Sequence, residues 1–151
     1  SGDAYHMTSP DKIGTSRCML NALSNAGLNQ EDVCYINAHG TSTQIGDKNE
    51  TEAIKNCFRE HAKDLVISST KSMTGHLLGG AGGIESVFTV LSVFHDIVPP
   101  TINLEVSDDS CDLDYCPKES RKTKVNVALK NNFGFGGTNG SLIFKKFGEA
   151  A

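Results

Sequence analysis

Several features that mark whole classes of protein are missing from this chain of 151 residues. No apolar run reaches the ~18 residues that a membrane-spanning helix needs, and the first residues are polar and turn-rich rather than patterned like a signal peptide. Lysine and arginine form no basic cluster, and the net charge is -4 at pH 7. We therefore expect no membrane partner and no nucleic-acid partner.

The number and spacing of the cysteines do not suit disulfide bonds or zinc ligation. The chain has five, an odd number, and no two of them stand in a C-x-x-C pair. This pattern indicates neither a disulfide framework nor a zinc site. We expect a reducing compartment, which would be the cytoplasm if the source is a bacterium and the interior of a mitochondrion or plastid if it is a eukaryote.

Glycine-rich loops are present, but the familiar nucleotide and hydrolase motifs are not. Lys71 precedes its glycines and so cannot end a Walker loop. Neither Gly80 nor Gly134 starts a complete G-x-G-x-x-G, and the sequence lacks G-x-S-x-G and H-E-x-x-H. These absences argue against dinucleotide binding, α/β-hydrolase chemistry and zinc peptidase chemistry.

Hydrophobic periodicity predicts one layered α/β domain with helices between strands. With 38% hydrophobic residues, the chain can bury a single core. Helices are predicted over 16–26, over a segment that starts at Asp47, and over 82–96. The start at Asp47 is predicted because its spacing to Glu50 resembles a capping box. Strands are predicted over 33–37, 65–68, 125–129 and 141–147, and a loop joins the last two.

Two histidines stand in a setting suited to chemistry. His39 and His76 each follow a predicted strand, among small and hydroxyl residues that let a ligand approach closely. Strand ends are where α/β folds usually build sites. The other three histidines, His6, His61 and His95, lack this setting and are assigned ordinary surface or structural roles.

A buried charge pair and a hinge are also predicted. Glu85 lies in a helix that is apolar nearly all round, so its carboxylate needs a partner. Lys71 would ordinarily be solvated, but its place near His76 makes it the predicted partner. Phe133 and Phe135 alternate with glycines, which favours a hinge; the alternative is a plain turn whose rings fill the core.

Three segments together resemble the C-terminal half of a β-ketoacyl-[acyl carrier protein] synthase of the KAS II type. They are NAHGTSTQIGD at 37–47, STKSMTGHLLGGAGG at 69–83 and NNFGFGGTNGSLIF at 131–144, and DAYHMTSP at 3–10 fits the same enzymes. The resemblance covers essentially the whole chain. It implies the C-terminal half of a thiolase-like fold, with a mixed β-sheet packed between helices.

The resemblance also implies a reaction, the decarboxylative Claisen condensation of fatty-acid elongation. Such enzymes carry the acyl chain on a cysteine and use two histidines to stabilise the enolate formed from malonyl-[acyl carrier protein]. It assigns His39 and His76 as these donors, and we expect both rings to be neutral, a helix N-terminus helping to keep His76 so. Lys71 orients them and balances charge, while Glu85 supports the lysine. Phe135 matches a gatekeeper whose backbone N–H joins the acyl oxyanion hole.

Substrate-binding and ion-binding residues are carried over in the same way. Thr41 and Thr43 match residues that bind the phosphopantetheine arm, which arrives on acyl carrier protein, so no cofactor is required. The remaining matches are Thr8, Gly134 and Gly136 for substrate, and Asn37, Glu85 and Asn131 for a monovalent cation, Na⁺ or K⁺. Lys130 stands where many relatives have a small residue.

The family's nucleophile has no match here, because none of the five cysteines sits in the motif expected for it. We expect residues 1–151 to be the C-terminal domain of a longer enzyme, homodimeric when complete, whose N-terminal half carries that cysteine. Alone, the chain should be inactive. Two other interpretations stay open: a noncatalytic partner resembling chain-length-determining subunits, and a thiolase-like acetyl transferase.

Overall fold

The structure, a computed structural model, describes Gly2 and residues 11–148. Four helices lie in this part of the chain: α1 (Lys12–Ala26), α2 (Gln44–Phe58), α3 (Lys71–Thr74) and α4 (Ala81–His95). Six strands accompany them: β1 (Tyr35–Asn37), β2 (Val66–Ser68), β3 (Ile97–Val98), β4 (Arg121–Lys122), β5 (Val127–Gly134) and β6 (Thr138–Lys145). None of the helices described is long and apolar enough to cross a membrane.

Helix α1 begins and ends at residues whose chemistry explains its limits. The Asp11 carboxylate accepts hydrogen bonds from the backbone N–H groups of Ile13 and Gly14, which have no partner within the helix. Gly27 ends the helix in the left-handed conformation, at φ 64°. The helix therefore starts four residues before the predicted range of 16–26, because the cap lies outside the apolar stripe.

Helix α2 begins earlier than its predicted start at Asp47. Thr43 is its N-cap residue, and Asp47 lies inside the first turn, where the carboxylate accepts a hydrogen bond from the backbone N–H of Ser42 at 3.2 Å. The predicted capping box of Asp47 and Glu50 is wrong. Glu50 instead lies on the buried face of α2, with 5% of its surface exposed.

The main sheet has the strand order β2-β1-β5-β6 and is mixed. Strand β1 runs parallel to both β2 and β5, whereas β5 and β6 form an antiparallel hairpin. Strands β3 and β4 form a separate two-stranded sheet. Because β1 and β2 are parallel neighbours, the loops after Asn37 and Ser68 emerge at the same edge.

The two core clusters lie on opposite faces of this sheet, as strand alternation requires. Ile36 and Leu129 pack with α1 and α2, whereas Tyr35 and Ala128 pack with Val93 of α4. The mixed sheet is thus packed between helices, which confirms the predicted layered α/β architecture.

The β5–β6 hairpin is longer than predicted. The segment 130–140 was expected to be a loop, yet the strands continue through most of it and only Phe135–Gly137 forms the turn. Phe133 is paired in the strand opposite Asn139 and is 5% exposed. Strand pairing and burial override the low strand propensity of glycine here, because the side chain of Phe133 packs in the interior.

Candidate functional site

The loop that carries His39 is fixed by a buried carboxylate. Glu50 accepts a hydrogen bond from the backbone N–H of His39 at 2.9 Å and from that of Gly40 at 2.8 Å. The Asn131 side-chain amide donates to the same carboxylate at 3.3 Å. Sequence analysis missed this positioning role of Glu50. The signal was its place on the α2 stripe that also holds Ala53 and Ile54, where an unpaired carboxylate would be costly.

The loop after β2 is joined directly to the His39 loop. The Ser69 hydroxyl donates to the backbone carbonyl of Gly40 at 2.7 Å. Gly40 has φ 37°, and a Cβ there would lie 2.6 Å from the Ser69 Cβ, so the two loops can approach this closely only with glycine at position 40. The loops that bear the two candidate histidines therefore form one unit.

This unit brings His39 and His76 together, as predicted. Their ring centroids are 5.6 Å apart and the rings are nearly perpendicular, at 86°. His76 is exposed, and its Nδ1 accepts a hydrogen bond from the backbone N–H of Leu78 at 3.1 Å. An accepting Nδ1 carries no proton, so the neutral ring holds its proton on Nε2 and can donate it to a ligand.

His39 is kept neutral mainly by burial. Desolvation lowers the pKa of His39 to about 3, with smaller contributions from the charges of Lys71 and Lys130. Its Nδ1 is buried and has no hydrogen-bond partner within residues 11–148. The prediction of a neutral ring is confirmed for His39, and the main cause is desolvation. For His76 the expected effect of a helix N-terminus stays a prediction.

Behind the histidines lies a cluster of three buried charges. The Lys71 ammonium is 2.6 Å from Oε1 of Glu85, and Lys130 Nζ is 2.9 Å from Oε2 of the same carboxylate. The side chains are 1% to 4% exposed. The predicted Lys71–Glu85 pair is confirmed, and sequence analysis missed Lys130 as a second partner of the carboxylate.

The three residues assigned to a monovalent cation converge on one point, Glu85 through its carboxylate but Asn37 and Asn131 through their backbone carbonyls rather than their side chains. Lys130 Nζ donates to the backbone carbonyls of Asn37 and Asn131 and contacts the Glu85 carboxylate. The side-chain oxygen of Asn131 is turned to the other face of the sheet, where it accepts from Ser141 at 2.7 Å. Within the described residues, no group of three or more His, Cys, Asp or Glu side chains could hold a metal ion.

A cavity of about 630 Å³ opens beside the histidine loops. It is lined by Thr41, Thr43, Lys71 and His76 among others, and the hydroxyls of the two threonines are 3.3 Å apart. The structure thus places both predicted pantetheine-binding threonines at one wall of a cleft that reaches His76. Thr8, which was also assigned to substrate binding, lies outside the described residues.

The tip of the β5–β6 hairpin separates the two phenylalanines. Phe135 is 72% exposed, while the buried Phe133 ring lies 5.9 Å from that of His39. Gly136 has φ 70°, and a Cβ on Gly134 would lie 3.1 Å from the Thr138 carbonyl oxygen. The hinge prediction is wrong for Phe133, which fills the core, whereas Phe135 is an exposed ring next to a glycine turn.

Three of the cysteines, Cys18, Cys57 and Cys116, are buried. Burial raises the pKa of Cys57 to about 12 and also raises that of Cys116. Cys18 is buried on α1. Cys111 lines the cavity, where its sulfur accepts a hydrogen bond from the Thr51 hydroxyl at 3.5 Å.

Comparisons with a family model and with curated relatives both match this chain to β-ketoacyl synthases. Residues 1–105 match the family model described as the C-terminal domain of β-ketoacyl synthase. The 3-oxoacyl-[acyl-carrier-protein] synthase 2 of Coxiella burnetii is 54% identical over 97% of this chain. The chain spans only 36% of that relative's length.

Solved structures share the fold. A structure described as the ishigamide ketosynthase/chain length factor is 35% identical, with a TM-score of 0.94 over 98% of this chain and 36% of its own. A type II polyketide ketosynthase in complex with its acyl carrier protein is 41% identical, with a TM-score of 0.92 over 96% of this chain and 36% of its own.

Proposed function

Because the chain belongs to the β-ketoacyl synthase family, as its C-terminal domain, we propose that it supplies the enolate-stabilising half of a site for fatty-acid chain elongation. The reaction is the decarboxylative condensation of an acyl group with malonyl-[acyl carrier protein]. One observation carries the proposal: the rings of His39 and His76 lie 5.6 Å apart, and His76 lines the cleft.

The chemistry requires such a pair. When the malonyl thioester loses CO₂, the bond between the carboxylate and the α-carbon breaks, and its electron pair moves to the thioester oxygen. Neutral N–H donors placed at that oxygen stabilise the developing negative charge more than they stabilise the substrate. The α-carbon then attacks the acyl thioester, the new C–C bond forms, and the thiolate of the nucleophile leaves.

The nucleophilic cysteine comes from a segment beyond this chain. We call the enzyme formed by both parts the complete synthase and infer that it is a homodimer. Exposed apolar side chains on α4, Val87, Val90, Leu91 and Phe94, support packing against further protein. Acyl carrier protein is the proposed partner, supported by the related ketosynthase solved with its carrier protein.

The proposal is tested by giving the complete synthase either malonyl-[acyl carrier protein] or acetoacetyl-CoA with free CoA. We expect release of CO₂ and a β-ketoacyl product from the first and no thiolysis of the second. The 151-residue chain alone should form no product. Cys111→Ser in the complete synthase should keep the activity; loss of acyl transfer in that variant would mean that the nucleophile lies in this chain.

A noncatalytic role is the second candidate, favoured by the likeness to a ketosynthase/chain length factor structure. The intact set of His39, His76 and Lys71 favours the catalytic role, because a subunit without catalysis has no need of two neutral donors beside a buried ammonium. A complete synthase that releases no CO₂ from malonyl-[acyl carrier protein] would support the second candidate.

Phe135 should act as a gate rather than as core filling. We expect Phe135→Ala to leave folding nearly intact, because the ring is 72% exposed, and to change the acyl-chain preference of condensation. Gly136→Ala should slow turnover, since an alanine is strained at φ 70°. Product chain length and thermal midpoint are measured for both variants.

Phe133→Ala provides the contrast for this experiment. Its ring is 5% exposed, so the truncation should cost about 3–5 kcal/mol of folding stability. If Phe135→Ala loses as much stability as Phe133→Ala and keeps its chain-length preference, the hypothesis that Phe135 acts as a gate is wrong.

A further inference from the structure

The environment of Lys130 is unusual for a lysine. Strand alternation directs its side chain to the α4 face of the sheet, where the residue is 1% exposed. Its ammonium lies 3.4 Å from the carbonyl oxygen of Asn37, 3.3 Å from that of Ala38 and 2.9 Å from a Glu85 oxygen, and it also donates to the carbonyl of Asn131. Four oxygens, from β1 and the residue after it, from β5 and from α4, surround one positive charge.

Such a set of oxygens is what a hard monovalent cation would bind. Backbone carbonyls and a carboxylate are typical ligands for such ions. The residues assigned to Na⁺ or K⁺ by resemblance, Asn37, Glu85 and Asn131, are the residues whose oxygens lie around Lys130 Nζ.

A metal ion does not fit there in addition to the lysine. Glu85 already faces two ammonium groups, those of Lys71 and Lys130, at 2.6 Å and 2.9 Å. A third positive charge at the same oxygens would be repelled by both in an environment of low dielectric constant. The three N–H donors of Lys130 are directed to the backbone carbonyls of Asn37, Ala38 and Asn131, so these oxygens are already engaged.

We propose that the Lys130 ammonium takes the place of a bound monovalent cation, so that this domain carries its counter-charge covalently and needs neither Na⁺ nor K⁺. The lysine links β5 to the end of β1 and to α4, the elements that position His39 and Glu85. The charge that organises the back of the site is therefore present at every salt composition.

The experiment measures the thermal midpoint of the complete synthase in KCl, NaCl and N-methylglucamine chloride at equal ionic strength. The unaltered protein should show the same midpoint in all three, within about 1 °C. Lys130→Ser opens room for an ion; in N-methylglucamine chloride its midpoint should fall by about 5–10 °C. Potassium or sodium should restore at least half of that loss, because an ion that binds only the folded state stabilises it.

Lys130→Met is the matched control, since it removes the charge but leaves the space filled. It should be destabilised in every salt and gain nothing from K⁺ or Na⁺. Specific stabilisation of the unaltered protein by either ion would overturn the proposal, and so would a Lys130→Ser variant that recovers no more than Lys130→Met.

A second measurement applies even if the variants fail to fold. Crystals of the unaltered complete synthase grown in RbCl should show no anomalous peak among Asn37, Ala38 and Glu85. The side-chain oxygen of Asn37 is buried with no partner in the described part of the chain, so it is where a competing ion would first appear. A rubidium peak there would contradict the proposal. Because these readouts do not measure condensation, their failure leaves the proposed function untouched.

Discussion

Glu85→Ala should lower the free energy of unfolding of the complete synthase by about 3–5 kcal/mol, because it strands two buried ammonium groups. Both Lys71 and Lys130 contact this carboxylate, and the side chains are nearly inaccessible. Lys71→Ala should cost less than Glu85→Ala, since Lys130 would still neutralise Glu85. Denaturant unfolding of the unaltered synthase, Glu85→Ala and Lys71→Ala measures the free energy of unfolding of each and so the order of the two losses.

The matched control is Glu52→Ala, which removes an exposed carboxylate paired with Lys12 at 2.7 Å. Both side chains are at least 36% exposed, so we expect almost no change in stability. The interpretation of Glu85 as the shared counter-ion fails if Glu85→Ala unfolds at the same denaturant concentration as Glu52→Ala, or if Lys71→Ala is the more damaging change.

His76→Ala and His39→Ala should each slow decarboxylation of malonyl-[acyl carrier protein] by roughly 10²–10³, about 2.7–4 kcal/mol of transition-state stabilisation, as for loss of one oxyanion donor. The effect should fall on kcat, because the donors meet a charge that exists only in the transition state. CO₂ release by the complete synthase provides the measurement. Transfer of the acyl group to the nucleophile should be less affected.

The pH dependence separates His39 from an ordinary histidine. With its pKa near 3 in the folded protein, the ring stays neutral and keeps one N–H from pH 5 to pH 8. Protonation of His39 should therefore cause no loss of decarboxylation in this range.

His95→Ala, at the exposed end of α4, is the control for the two histidine variants. It should change neither the rate of decarboxylation nor the rate of acyl transfer. A decarboxylation rate unchanged in His76→Ala or His39→Ala would contradict the assignment of donors.

Several features could be predicted because they depend on local pattern or on residue chemistry. The apolar stripes of α1 and α4 and the short strands β1 and β2 follow from periodicity, and their positions were predicted to within a few residues. The need of Glu85 for a cationic partner follows from the cost of an unpaired buried carboxylate, and Lys71 was the correct partner. The histidine motifs were recognisable from their residues alone.

Only the tertiary structure decided the rest, because the contacts join residues far apart in the sequence. Lys130 reaches Glu85 and the end of β1 through strand pairing, which no local pattern encodes. Glu50 fixes the His39 loop because α2 packs across it, so a residue that looks like part of a cap is a buried acceptor. Phe133 and Phe135 read alike in the sequence, but hairpin pairing buries one ring beside His39 and leaves the other exposed. Sequence thus determined which residue types were available for the chemistry, and long-range packing decided which of them meet and which charge each one faces.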